Sequence, residues 1–502
     1  MKNVLEYLER SAARDPDKVA FADVNEEITY AQLLQRAKEI GSALAKRFPV
    51  RTPIPIYREK SVDTICLVFG AAYAGCYYVM LDLRHPKARI EQILATLETG
   101  VVITDARQAS RLSRMELDVT LLDVEELDAA VDEERLAQIR AAHLDIDPLY
   151  GIFTSGSTGK PKGVLIAHRS VIDFIDVFTE TFAIDEQAVI GNQAPWDFDV
   201  SVKDIYSTIC SGATMQIIPK AYFSMPTKLL DFLCEREVTT LIWAVSALCI
   251  LSTLKGFDYR VPTHLKTVMF SGEIMPMKQL QIWHSVLPEV TYVNLYGPTE
   301  ITCNCTYHIV CEQDLQRGML PIGRPFPNER ILLLDEDDRE IVEPDVKGEI
   351  CVSGTAVGLG YLNNQEQSDR VFVQNPLNSR WQERIYRTGD IGYLDEEGLL
   401  FFSGRRDFQI KHMGYRIELG EIEAAAMLLP GAENVCAVFD KPRQEIVLFV
   451  ETAEELTMRT VRKELRGAIP AYMMPTRLVT MPQLPHNAND KIDRVYLAKW
   501  LG

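Results

Sequence analysis

The sequence predicts an α/β protein. It has a large N-terminal domain of parallel-rich sheets covered by helices, a small β subdomain, and a small, mobile α+β C-terminal domain. Three observations carry this reading. Helical patterns alternate with short apolar runs over residues 1 to about 400. Short strands and acidic turns replace that texture after about residue 330. Past Arg405-Arg406-Asp407 a hairpin pattern leads into a helix. At 502 residues the chain exceeds one ordinary core, so two to four domains or subdomains are expected.

The opening stretch, "MKNVLEYLERSAARDPDK", has the spacing of an amphipathic helix that stops near Pro16. It lacks the apolar run of a signal peptide. Residues 64–81, "TICLVFGAAYAGCYYVML", carry no charge and are long enough to suggest a membrane span. Gly75 divides them. A buried helix through Ala74, a glycine stop and the strand "YYVML" explain the run without membrane insertion.

Apolar runs recur as "VVITD" at 101, "ATMQIIP" at 213, "LIWAV" at 241, "TVMFSGE" at 267 and "TYVNLYGPTE" at 291. Helical stretches such as "PTKLLDFLCERE" and "MKQLQIWHSVLP" lie between them. This alternation favours parallel sheets, in which ligands bind beyond the carboxyl ends of strands. "SGE" and "YGPTE" stand at such ends. "RILLLDEDDREIVEPDVKGEICVSG" reads as the antiparallel β subdomain. "GRRDFQIKHMGYRIELGEIEAAAMLL" reads as a hairpin turning at His412-Met413-Gly414, followed by a helix. No linker marks the boundary, which suggests a hinge between packed domains 1–406 and 407–502.

Composition narrows the function. Hydrophobic content of 47% and charged content of 25% are those of a soluble globular protein. A formal net charge of −18 argues against a nucleic-acid binder, which needs a basic surface. The 10 cysteines include no CxxC pair, and reduced thiols suit a cytoplasmic protein. Cys303, Cys305 and Cys311, with His308 among them, could bind zinc, although their spacing is not that of a common zinc module.

The stretch from Phe153 to Gly163, "FTSGSTGKPKG", combines glycines, hydroxyls and lysines between two strand-like runs. Glycine lets backbone N–H groups approach an anion, and hydroxyl and ammonium groups complete a phosphate cradle. It lacks Walker spacing, because Gly159-Lys160 runs into Pro161 and then a strand. Further motifs follow in order: "APWDFDVSVKDIY", "NLYGPTE", "GEICVSG…GYL", "YRTGD", "GRRDFQIKHMGYRIELGEIE" and "NANDKIDR". Together they span nearly the whole chain. In that order they resemble the adenylate-forming enzymes. They are most similar to amino-acid adenylation domains of nonribosomal peptide synthetases and to D-alanine–carrier protein ligases.

The resemblance implies a two-step reaction. A carboxylate attacks the α-phosphorus of ATP, pyrophosphate leaves with Mg²⁺, and a thiol then takes the acyl group from the adenylate. It implies that Thr154, Ser155, Gly156, Ser157, Thr158, Gly159 and Lys160 hold the departing phosphates. Tyr296 would pack on adenine, Thr299 would touch the phosphates and Glu300 would bind Mg²⁺. Gly272, Glu273, Asn294 and Gly297 belong to the same strand exits of the nucleotide site. Asp390, with Arg405 near it, would hold the ribose hydroxyls. Lys491 matches the catalytic lysine that bridges the substrate carboxylate and the α-phosphate. Asp407 matches the hinge, and Lys411 and Gly414 would line the thiol tunnel.

Asp199 matches the acid that pairs with the α-ammonium of an amino-acid substrate. Its alternative is an acid capping a helix start. The remaining pocket positions are Val200, Lys203, Trp243, Met269, Ser271, Leu295, Cys303 and Asn304. Bulky Trp243 and Met269 would shorten the cavity, favouring a small or medium side chain. Lys203 pointing inward would favour an acidic or polar substrate; pointing outward, it leaves a pocket like that of a D-alanine ligase. The acceptor would be the phosphopantetheine thiol of a carrier protein acting in trans, since no carrier segment is recognisable. Two other readings are an acyl- or aryl-CoA ligase of the same fold and a non-catalytic nucleotide-binding homologue. Lys491→Ala should lower adenylate formation by about 10²–10³-fold while ATP still binds. Unchanged pyrophosphate exchange in that variant contradicts the assignment.

Overall fold

The computed structural model describes residues 1–156, 160–486 and 492–501. Two large sheets dominate. One has nine strands, with Thr291–Tyr296, Thr267–Ser271, Thr240–Ala244, Val189–Asn192, Thr214–Ile217 and Val19–Ala22 running parallel through its centre. The other has seven strands. Pro148–Thr154, Tyr77–Met80, Pro53–Ile56, Val101–Thr104 and Thr120–Asp123 are parallel, while Lys162–Ala167 pairs antiparallel with Pro148–Thr154.

The apolar runs of the sequence become these strands because both faces are covered. Phe21, Ile190, Met215 and Met269 of the first sheet share one core with Ile54, Tyr150, Val164 and Ile166 of the second. Helices Val62–Tyr73, His168–Thr181 and Val200–Ser211 contribute to the same core. The uncharged segment 64–81 is therefore a core element. Its helix ends at Tyr73, Gly75 takes a φ of +68°, and the strand Tyr77–Met80 follows. Among the described residues no helix is long and apolar enough to cross a membrane.

A third, five-stranded sheet is antiparallel and includes Glu329–Leu334, Gly348–Gly354 and Arg384–Leu394. Beyond it, Gln409–His412 and Tyr415–Glu418 form a two-stranded hairpin. Met413 (φ 52°) and Gly414 (φ 79°) turn it, a pairing of positive-φ residues that suits a tight two-residue turn. Helix Leu419–Ala426 and a three-stranded sheet follow, built around Ile417, Ile422, Leu448, Val450 and Val461. The hairpin is fastened through the helix that follows it, where Glu421 forms a buried ion pair with Arg89 of helix Lys87–Leu97. It is also held by Arg84 on the Tyr415 hydroxyl (2.7 Å) and by edge-on packing of Phe198 against Tyr415.

Helices Tyr30–Arg47 and Val62–Tyr73 cross closely enough that no side chain fits at two positions. A Cβ on Gly41 would lie 2.5 Å from Tyr73 Cβ, and one on Gly70 would collide with Ile40. Gly70→Val should lower stability by about 1–3 kcal/mol through overpacking, read as a fall in Tm. An unchanged Tm contradicts this close crossing.

Candidate active site

One cavity opens where the strands release their carboxyl ends, as expected for parallel sheets. Strand Pro148–Thr154 delivers Thr154 and Ser155 to it, strand Thr267–Ser271 delivers Ser271 and Gly272, and strand Thr291–Tyr296 leads to Gly297 and Thr299. Asp199 and Val200 enter from the start of helix Val200–Ser211. Asp390 and Arg405 close one side, and Lys411, Gly414 and Arg416 of the hairpin close another.

The residues that the sequence associates with ribose form a chain of hydrogen bonds. Tyr296 Oη donates to Asp390 Oδ2 (2.6 Å), and Arg405 Nη1 donates to Asp390 Oδ1 (2.5 Å). Arg405 also grips both carboxylate oxygens of Asp407 at 2.6 and 2.8 Å. Asp407 in turn accepts from the Gln409 N–H (3.2 Å), so the expected hinge residue ties the cavity wall to the first hairpin strand. Asn294 donates to the Pro321 carbonyl and does not line the cavity. Glu273 accepts from the Gly414 N–H at 3.1 Å. Gly414, at the cavity wall, has a positive φ, so a side chain there would be strained, and its Cβ would sit 3.6 Å from Ser246 Oγ.

Glu300 is the electrostatic centre. It is fully buried. Its Oε1 accepts from Tyr361 Oη (2.8 Å) and lies 3.4 Å from Lys162 Nζ. Its Oε2 accepts from Arg416 Nη1 at 2.8 Å. Burial alone would raise this carboxyl, but Arg416 and Lys162 together hold it well below the usual range, so it stays ionised. Burial lowers Lys162 to about 8. Glu300 offers hard carboxylate oxygen beside the hydroxyl-bearing Thr299, a donor set that suits Mg²⁺.

Asp199 begins its helix but makes no side-chain capping bond there, so the capping alternative falls away. Its carboxyl is raised by enclosure, and the Thr299 hydroxyl and the charge of Lys203 counter part of that rise. Val200, Ser271, Cys303 and Asn304 line the cavity beside it. Burial pushes the Cys303 thiol up to about 12, so it remains protonated.

The structure departs from the sequence reading at four pocket positions. Trp243 lies on the opposite face of its strand, donates Nε1–H to the Gly191 carbonyl (2.7 Å) and packs on Phe223. The alternation of a strand explains this: Ala244 pairs with Ser271, whereas Trp243 pairs with Phe270 in a different core cluster. Met269 and Leu295 belong to the main core and do not line the cavity. Lys203 points inward, yet it stands behind the wall, where it donates to Asn304 Oδ1 at 2.6 Å.

Ser157, Thr158, Gly159 and Lys491 lie outside the described residues, and Lys160 is exposed. The cysteine cluster does not assemble. Cys303 and Cys305 are buried, Cys311 is exposed, and His308 is bound to Asp314 at 2.7 Å. Among the described residues only Asp82, His85 and Asp197 bring three potential metal-ligating atoms together, and Arg84 already clasps Asp82. The sequence reading did not single out Lys162 or Arg416. A lysine opening a buried strand and an arginine in the hairpin were the available signals.

A strand-end cavity walled by Thr154, Ser155, Asp390 and Arg405 and closed by the hairpin is where these motifs converge, and the class of protein they define is that of the adenylate-forming enzymes. The chain matches the AMP-binding enzyme family over residues 8–362 and the AMP-binding enzyme C-terminal domain over 421–491, and it belongs to that family. It is 32% identical to a D-alanine–D-alanyl carrier protein ligase of Bacillus cereus, covering 98% of each chain. It is also 32% identical to a mycosubtilin synthase polypeptide of Bacillus subtilis, but there it spans 98% of its own length and only 19% of the relative. The solved structure of the Vibrio cholerae adenylation domain AlmE, in complex with glycyl-adenosine-5′-phosphate, shares the fold with a TM-score of 0.84 at 22% identity. It covers 100% of this chain and 98% of that one.

Behind the pocket lies a buried polar network. Lys60 donates to Asn192 Oδ1 (3.0 Å), and Asn192 Nδ2 donates to Asp204 Oδ2 (2.5 Å). Asp204 Oδ1 has no partner among the described residues. Burial lifts Asp204 from 3.8 to about 7, against the opposing effects of Asn192, Lys203 and Lys60. Between those two values the folded state holds a proton that the unfolded state releases, so this group makes stability fall as pH rises through the window. Lys60, lowered to about 7, acts above it. Asp204→Asn should flatten the dependence of Tm on pH between about 4 and 7. An unaltered slope contradicts this account.

Proposed function

We propose that this enzyme activates a small amino acid with ATP as the aminoacyl adenylate, then transfers it to the phosphopantetheine thiol of a separate carrier protein. The observation that carries the reading is Asp199. Its carboxylate lines the cavity beside Val200, Ser271, Cys303 and Asn304, where it can meet a substrate α-ammonium. Lys203, whose ammonium is bonded to Asn304, is not a free cation for an acidic side chain. The pocket next to Asp199 therefore favours an uncharged side chain. The D-alanine–carrier protein ligase relative supports both the substrate class and the acceptor.

The residues divide the work along the cavity. Asp390, oriented by Tyr296 and Arg405, accepts from ribose hydroxyls. Thr154 and Ser155, at the cavity wall, face the phosphates. Glu300 would hold Mg²⁺ and Thr299 would touch the phosphates; the ion, when bound, supplies positive charge for the departing pyrophosphate. Lys491 bridges the attacking carboxylate and the α-phosphate in the first step. Residues 1–406 form the core that binds both substrates, and 407–502 form a unit that turns about Asp407. Lys411 and Gly414, at the cavity wall, serve the second step, in which the thiol enters past the residue without a side chain.

In ATP–pyrophosphate exchange across a panel of L- and D-amino acids, the wild-type chain should respond to one or a few small members. Asp199→Ala should reduce that response about a hundredfold, because the substrate ammonium would lose its partner. Full activity in the variant would point to a substrate without an amine and to the CoA-ligase reading.

A further inference from the structure

The cavity wall beside Asp199 carries an amide whose direction is fixed. Lys203 is fully buried and donates to Asn304 Oδ1 at 2.6 Å. The Cys303 thiol donates to the same oxygen at 3.5 Å. Turning the amide over would set its Nδ2–H against an ammonium, donor against donor. Oδ1 therefore faces Lys203 behind the wall, and Nδ2 takes the opposite side. Asn304 lines the cavity, and its Nδ2 donates to no described residue. A buried N–H without an acceptor is disfavoured, so water or a ligand oxygen must meet it.

A second unmet group stands close by. Tyr150 is fully buried, and its Oη has no hydrogen-bond partner among the described residues. Its phenol lies within electrostatic reach of Asp199 and Cys303. The Ser271 hydroxyl lines the same cavity. Polar groups that await partners thus gather around Asp199. An alkyl side chain seated there would displace water from Nδ2 and return no hydrogen bond. A carboxylate would bring a second negative charge beside Asp199, while the Lys203 ammonium is already engaged by Asn304. We propose that Asn304 is a specificity-determining residue and Lys203 its positioning residue: the outward Nδ2–H of Asn304 donates to a neutral oxygen on the substrate side chain, so the amino acid activated bears a hydroxyl or an amide. The inference rests on the adenylation reading and narrows it. The substrate differs from alanine, the amino acid of the carrier protein ligase relative, by carrying this oxygen.

The test is ATP–pyrophosphate exchange by the full chain on isosteric pairs of both hands. Serine is set against α-aminobutyrate, threonine against valine and asparagine against leucine, with alanine, aspartate and glutamate alongside. The wild type should prefer the oxygen-bearing member of its best pair about a hundredfold in kcat/KM. Asn304→Leu should shrink that ratio to about threefold or less. Lys203→Met frees the amide to turn and should shrink the ratio about tenfold, through KM for the oxygen-bearing member rather than through kcat. A merely structural Lys203 would lower both members alike and leave the ratio unchanged, and that result removes its positioning role. If either variant folds poorly, the wild-type ratio decides by itself. A best substrate with an alkyl or acidic side chain, or a ratio near one, overturns the inference while amino-acid activation stands. No exchange with any amino acid overturns both.

Discussion

The structure turns on a single buried carboxylate. Glu300 sits with no water contact where the strand Thr291–Tyr296 has just ended, and three different parts of the chain converge to keep it ionised. Lys162 comes from the strand that follows the glycine-rich loop, Tyr361 from the segment after the first half of the β subdomain, and Arg416 from the hairpin. An ionised carboxylate in such a place is tolerated only with cations and hydrogen-bond donors around it. Two cations and one hydroxyl donor, drawn from three distant parts of the chain, meet that requirement.

The same logic links the two ends of the molecule. The hairpin is held by polar contacts and by aromatic packing. Phe198 packs on Tyr415 one residue before Asp199, so the cavity wall that carries Asp199 also meets the hairpin. Arg89 and Glu421 form a buried pair whose separation would leave two unpaired charges. A docked state fastened this way is defined rather than loose, and its replacement by another state needs compensating ligand contacts.

Much of the fold was legible because parallel strands buried on both faces read as continuous apolar runs, and each such run became a strand. The hairpin turn was legible because Gly414, which takes positive φ without strain, interrupts two strand-like runs. Single side-chain directions were not. Trp243 and Ala244 differ by one position, and in a strand one position reverses the face. The inward turn of Lys203 was one of two open possibilities. Its bond to Asn304, 101 residues away, could not be read from the local pattern. Arg416 went unnoticed for the same reason: its partner Glu300 is 116 residues distant, and only folding brings a hairpin arginine to a strand-end glutamate. Several of the motifs meet at one cavity, while the charge pairing beside it is a property of three-dimensional packing.

The central claim is that the cavity activates an amino acid at its carboxylate. The most direct measurement is mass spectrometry of the nucleotide retained by the enzyme after one turnover. The protein would be incubated with ATP, Mg²⁺ and an equimolar mixture of amino acids of both hands together with aryl and fatty acids, with no thiol acceptor present. The account predicts a retained AMP ester of one small amino acid. Retention of an adenylate whose acid has no amine, or no adenylate from any acid in the mixture, would contradict it.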